Sequence, residues 1–126
     1  MRIRITSIMV DNQEKALRFY TDVLGFQKKH DFPVGDYKWL TVVSPEGPKE
    51  LALEPNANPA GKTFQEAMFA QGIPVAAFEV DDIRYEYARL KARGVVFTNE
   101  PAKAGPVTIA VLSDTCGNLI ELYQPA

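Results

Sequence analysis

Glu121 stands in the apolar run Leu119-Ile120-Glu121-Leu122-Tyr123, bracketed by Gly117 and Pro125. A carboxylate held among apolar side chains has its charged form disfavoured, which raises its pKa and suits it to general acid or base work, or to anchoring a cationic ligand. The plainer reading is a carboxylate solvated at the mouth of a hollow or paired with an Arg or Lys. The run also echoes an earlier one. Gly47 and Pro55 precede Gly117 and Pro125 by 70 residues each, and at that offset Glu121 falls opposite Leu51.

Few other residues compete for a chemical role. His30 is the single histidine and lies in the charged string Lys28-Lys29-His30-Asp31, which reads first as a partly exposed strand. Cys116 is the single cysteine, so no intrachain disulfide can form, and no adjacent histidine suggests an activated thiolate. It reads as a turn residue in Asp114-Thr115-Cys116-Gly117. Tyr123 and Trp39 could stack on a planar ligand or supply a hydrogen bond, although strand aromatics are more often plain core. Glu79 ends a strand, where a glutamate is usually solvated, but at the 70-residue offset it partners Met9 and could line a rim.

The elements that must position these groups form two copies of one unit. Residues 2–10 alternate in polarity and are rich in β-branched types, as a strand requires. Asn12 then caps a helix whose apolar stripe is Ala16, Phe19, Tyr20, Val23 and Leu24, with Gly25 at its end. Three strands follow near 26–33, 37–43 and 49–54. Residues 55–61 are a polar, Pro-rich linker, and Thr63-Phe64-Gln65-Glu66 has the spacing of a capping box that opens a short helix to Gln71. That helix could serve as a lid hinged on 55–61, a dimer contact or a packed connector. The unit then repeats: a strand at 74–80, a helix with Ile83, Tyr87 and Leu90 on one face, a stop at Gly94, and strands near 95–100, 107–113 and 118–124.

The expected fold class is therefore α+β, with two βαβββ modules sharing one domain over 1–126: module one at 1–54, a linker with its helix at 55–72, and module two at 73–126. A chain of 126 residues fits one compact domain, and neither half is long enough to build a large core alone. The net charge of −2 and the lack of a basic run give no case for nucleic acid. No apolar run approaches the roughly 20 residues that span a bilayer, and the amino-terminal stretch lacks the unbroken apolar core of a signal peptide. A cytoplasmic protein with a small-molecule partner, or another copy of itself, is the expectation.

Three strings carry a family resemblance: Val10-Asp11-Asn12 running through Phe19-Tyr20-Thr21-Asp22-Val23-Leu24-Gly25-Phe26, then Phe78-Glu79-Val80-Asp81-Asp82, then Gly117-Asn118-Leu119-Ile120-Glu121-Leu122. Together they resemble the vicinal oxygen chelate superfamily of glyoxalases, extradiol dioxygenases, methylmalonyl-CoA epimerases, and fosfomycin and bleomycin resistance proteins. The resemblance implies a cupped eight-stranded mixed sheet with helices outside, usually in a homodimer. In metal-dependent members it implies a divalent ion held by His or Glu from the first and fourth strands of each module. Those four positions map onto Ile5, Leu51, Val75 and Glu121. Three of the four offer no metal donor, and one carboxylate does not hold an ion. A one-residue slip of the fourth strand would bring Glu50 into the cup and turn Leu51 and Leu53 toward the helix.

With the parity as mapped, Ile5, Ser7, Leu51, Val75, Glu79, Tyr123 and Trp39 are the candidate ligand contacts and Glu121 the candidate catalytic group. The leading expectation is an organic ligand in an apolar cup with no metal cofactor. The alternative is a divalent-metal-dependent lyase, isomerase or dioxygenase of the glyoxalase type, with a ligand set drawn from Glu50, Glu79, Glu121 and His30. A third reading, sequestration of a bleomycin-like drug, would need an acidic groove.

Overall fold

The structure is a computed structural model describing residues 1–126. Module one runs β1 (Ile5–Val10), α1 (Gln13–Arg18), a π-helical turn (Phe19–Val23), β2 (Gln27–Val34), β3 (Tyr37–Val43) and β4 (Glu50–Pro55). A connecting helix, α2 (Pro59–Ala70), leads to module two: β5 (Ala76–Glu79), α3 (Ile83–Ala92), β6 (Ala102–Ala104), β7 (Val107–Ser113) and β8 (Leu119–Pro125). The fold is α+β with two βαβββ modules. There are eight strands, seven of them where expected, and they divide into two four-stranded mixed sheets, β1-β4-β3-β2 and β5-β8-β7-β6, rather than one continuous ladder. In each sheet the first and fourth strands run parallel and the remaining pairs antiparallel.

Local chemistry explains most boundaries. The Asn12 side chain accepts from the Lys15 amide and Asp82 does the same for Tyr85, so each module helix starts on an Asx cap. Gly25 and Gly94 follow the two helices at φ 94° and 89°, the left-handed conformation that a side chain resists. The π-helical turn in module one lets adjacent residues Phe19 and Tyr20 both be buried. Tyr20 then stacks with Phe26 and meets Phe78 edge-on, which carries the core across the module boundary.

Two elements depart from the sequence expectation. α2 begins at Pro59, not Thr63, because Asn58 accepts from the Ala60 amide and Pro59 supplies the pre-set φ of a first helical residue. Part of the supposed hinge is therefore helix. The strand expected at 95–100 is reduced to a single bridge between Phe97 and Leu112, and β6 lies beyond Pro101. There the Asn99 side chain takes the Val111 amide at 2.9 Å, replacing a ladder bond.

The strand pairing fixes which side chains share a face. Ile8, Val10, Leu40, Val42 and Leu53 enter the core, as do Ala110, Leu112, Ile120 and Leu122 from the second sheet, all against Tyr20, Ile83 and Leu90. The opposite face of sheet one carries Ile5, Ser7 and Met9, with Glu50 and Ala52 beside Ile5 and Ser7. Thr41 and His30 continue the Ser7–Ala52 row across β3 and β2. The equivalent face of sheet two carries Ala77 and Glu79, Glu121 and Tyr123, and Val111 and Ile109. Leu51 is thus a correction. It pairs with core residue Val42 and packs against the core, while Glu50 occupies the face expected of Leu51. The loop before β4 spans 44–49, one residue longer than the 114–118 loop before β8, so the 70-residue offset falls to 69 across the fourth strands. A shift of one residue reverses every side chain in a strand.

Candidate functional site

The core-distal faces of the two sheets each carry one embedded carboxylate. On sheet one it is Glu50, 7% exposed. Lys29, which bulges out of β2 between Lys28 and His30, brings its ammonium to 3.3 Å from one carboxylate oxygen. His30 Nε2 lies 3.6 Å from the other oxygen, Oε1, beyond hydrogen-bonding distance, and Oε1 has no hydrogen-bond partner. Burial pushes the Glu50 pKa up, but the Thr41 hydroxyl, the Lys29 ammonium and the His30 ring together outweigh it and bring the value below the ordinary 4.5. Phe32 meets the His30 ring edge-on, and Trp39 stands beside Phe32 in the pairing.

On sheet two, Glu121 is half-buried and shares its face with Ala77 and Val111. None of the chain's ion pairs involves it. Two residues along, the Tyr123 hydroxyl donates to Glu79 Oε1 at 3.3 Å. Partial burial and then the Glu79 charge raise the Tyr123 pKa, because both disfavour a phenolate. The sequence-derived residues therefore fall into separate groups. Glu79, Glu121 and Tyr123 lie on sheet two, whereas Ile5, Ser7 and Trp39 lie on sheet one. Val75 precedes β5 and joins Ser7, Met9, Phe64 and Met68 around a cavity of about 230 Å³ beneath α2.

Neither carboxylate face is enclosed by this chain. A larger groove of about 590 Å³ runs between Leu24–Phe26, the 44–46 loop and the β5–α3 corner, touching Glu79 but not Glu121, Tyr123 or Glu50. Its one arginine, Arg89, is already held by Glu86 at 2.7 Å and by the Val23 carbonyl at 3.1 Å. The groove is a wedge between modules lined by five carboxylates, Glu46, Glu79, Asp81, Asp82 and Glu86, and so has the acidic character that the drug-sequestration reading calls for. The face of sheet one lies open instead, with Ile5 44%, Phe32 49% and Val34 58% exposed.

The donor set does not fit the metal that the family resemblance implies. Of the mapped positions, Ile5 and Val75 have no donor atom, Leu51 faces the core and Glu121 is the one carboxylate; Glu50, which takes the face expected of Leu51, is already engaged by Lys29. No three His, Cys, Asp or Glu side chains of the chain converge. A protein metal site needs about three such ligands.

A second polar cluster, which the sequence reading missed, joins the modules. Asp114 is buried and accepts from the Tyr20 hydroxyl at 2.7 Å, the Cys116 and Asn118 amides at 2.7 and 3.0 Å, and the Asn118 side chain at 2.8 Å. Gln65 of α2 brings its Nε2 to 3.0 Å from both the Met9 and the Cys116 carbonyls. A Cβ on Gly117 would sit 2.7 Å from that nitrogen, so only glycine admits Gln65 there. The same cluster makes Cys116 inert. Burial, then the Asp114 charge, pushes its thiol up to about 12. The signal in the sequence was the buried-type spacing of Asp114 and Asn118 around a turn, but nothing local pointed to Tyr20 or Gln65.

The order of these elements, the paired modules and the open carboxylate faces define a known architecture, and comparison with known proteins agrees. The Glyoxalase/Bleomycin resistance protein/Dioxygenase superfamily matches residues 2–122, and the chain belongs to that family. It is 54% identical over 126 residues to the uncharacterized protein YurT of Bacillus subtilis, covering 98% of this chain and 99% of that one. It is 31% identical to a lactoylglutathione lyase of Neisseria meningitidis, covering 98% and 91%. Among solved structures it resembles TnmS3, an antibiotic binding protein from Streptomyces sp. CB03234, with a TM-score of 0.81 and 28% identity over 100% of this chain and 97% of that one.

Proposed function

We propose that this protein is a cytoplasmic, metal-free binder of a small planar organic molecule, held in an apolar cup that two copies complete. The observation that carries the reading is the open face of sheet one, where Ile5, Phe32 and Val34 stand half-exposed on the face that holds the embedded Glu50. An exposed apolar face of this kind is a surface for a ligand or a partner. Ile5, Ser7 and Trp39 would contribute walls from one sheet, and Glu79, Glu121 and Tyr123 the polar and stacking groups from the other, with Val75 at the junction. Likeness to an antibiotic binding protein supports the ligand class. The open apolar strip of Ile5, Phe32 and Val34 supports a homodimer that covers it.

Equilibrium dialysis and sedimentation test the two parts together. The expected result is a dimer that takes up no stoichiometric Ni, Mn, Zn or Fe at micromolar concentration. Tight metal uptake would overturn the metal-free reading, and a monomer at all concentrations would overturn the shared cup.

The second reading, a glyoxalase-type lyase, is favoured by the 31% identity to a lactoylglutathione lyase. It requires metal-dependent turnover of a hemithioacetal that Glu121→Gln abolishes.

A further inference from the structure

We propose that the cavity beneath α2 is a pocket for an uncharged single-ring aromatic molecule, complete within one chain. The inference rests on the reading of this protein as an organic-ligand binder but not on a second copy, and it names the class of ligand.

Three observations converge on it. The first is the lining. None of the nine residues around the cavity is charged, whereas the groove between the modules carries five carboxylates. An ion entering the cavity would lose hydration and meet no opposite charge there, so the cavity selects neutral molecules. Met9 lines it from β1, Phe64 and Met68 line it from α2 one helical turn apart, and Val75 adds a branched wall. Thioether sulfurs and an aromatic side chain suit a ring, and methionine adapts to its outline.

The second is the polar inventory. Gln65 and Asn118 also line the cavity, but their amide hydrogens are committed within the chain. Gln65 Nε2 lies 3.0 Å from the Met9 and Cys116 carbonyls and 3.2 Å from Asn118 Oδ1, and Asn118 Nδ2 lies 2.7 Å from the Met9 carbonyl and 2.8 Å from Asp114. These bonds tie α2 to β1 and to the start of β8, so the pocket is formed before a ligand arrives. Ser7 carries the only hydroxyl of the lining and is exposed, which leaves one polar atom to orient a ligand. The third is size. An apolar cavity of about 150 Å³ holds benzene. At about 230 Å³ this one takes a ring with a small substituent.

The test is a titration of the full chain labelled with carbon-13 at its methionine methyls. The chain has three methionines, and Met1, which does not line the cavity, serves as the internal control. The probes are p-cresol, p-toluate and p-methylbenzylammonium, which share one ring and present a neutral, an anionic and a cationic group. Millimolar p-cresol should shift the Met9 and Met68 methyl signals and leave Met1 unmoved, with each ion at least about tenfold weaker. Ser7→Ala should weaken p-cresol about fivefold, the factor expected of one neutral hydrogen bond. Ser7→Phe, which fills the cavity from β1, should abolish binding, and the alanine variant and the ion series still decide if the phenylalanine variant does not fold. The inference is overturned by equal binding of either ion, by p-cresol binding that leaves Met9 and Met68 unmoved, by undiminished binding in a folded Ser7 variant, or by no binding at all. Each of those results leaves the shared cup to be decided by sedimentation. Conversely, a chain that sediments as a monomer yet shifts Met9 and Met68 keeps this pocket and loses the cup.

Discussion

The two modules share one chain path and treat their carboxylates in opposite ways. By strand pairing, Glu121 sits beside Ala77 and Val111, and the matching place in module one, beside Ser7 and Thr41, holds Ala52. Module one instead sets its carboxylate two residues earlier, at Glu50, whose counterpart in module two is Leu119. Around Glu50 an eight-residue β2, with its bulge at Lys29, supplies two basic side chains, whereas β6 is a three-residue strand that faces no such task. The loops that feed these strands differ too. The 114–118 loop is folded inward on Asp114, but Ser44, which stands 70 residues before Asp114, lies in an exposed loop. A duplicated backbone therefore does not imply duplicated sites, and the core-distal faces of the two sheets carry different chemistry.

The largest expected effect separates the two loops. Asp114→Ala strips the acceptor from four buried hydrogen bonds, including that of Tyr20, and should cost about 3–5 kcal/mol in denaturant unfolding. Ser44→Ala should stay within about 0.5 kcal/mol. Equal effects would mean that the inward loop is no anchor.

A smaller effect separates the two carboxylates. Glu50→Gln should cost about 1 kcal/mol at neutral pH, a modest figure because Lys29 and His30 are each 42% exposed and screened by solvent. Glu121→Gln breaks no ion pair and should change stability by less than about 0.5 kcal/mol. The pH dependence has a definite sign. Because the folded pKa of Glu50 lies below its ordinary 4.5, its contribution is complete above that value and fades as pH falls through the lowered one. Unfolding curves of the wild type and Glu50→Gln should therefore converge between neutral and strongly acidic pH. A gap that widened on acidification would contradict the pairing.

The smallest effect concerns α2, which has no counterpart in module two. Gly61 lies inside the helix, and a Cβ there would come 3.3 Å from the terminal methyl of Met9, a flexible end that can yield. Gly61→Ala should raise stability by about 0.5 kcal/mol through helix propensity, read as a small rise in thermal midpoint. A loss would show that Met9 is wedged against the helix.

Much of this architecture was legible along the chain. The Asn12 and Asp82 caps, the glycines at 25 and 94 and the strand alternation at 5–10 are local signals, and they place the module elements to within a few residues. The fourth strand was located to within one residue, but its facing was reversed. The matching glycine and proline at 47 and 55 suggested a 70-residue register for β4, and one extra loop residue undid it, taking Leu51 out of the cup and putting Glu50 in. His30 is the partly exposed strand residue that the sequence suggested, and only its nearness to Glu50, 20 positions away, was not legible.

The sequence by itself determined the two βαβββ modules, their order and the absence of metal donors at Ile5 and Val75, because helix caps, turn glycines and side-chain types act locally. Only the tertiary structure decided which carboxylates face the cup and that Asp114 and Gln65 join the modules. It also showed that the core-distal face of sheet one, with Ile5, Phe32 and Val34, is left open by a single chain. Those outcomes depend on strand register and on contacts between distant segments, which no local pattern encodes.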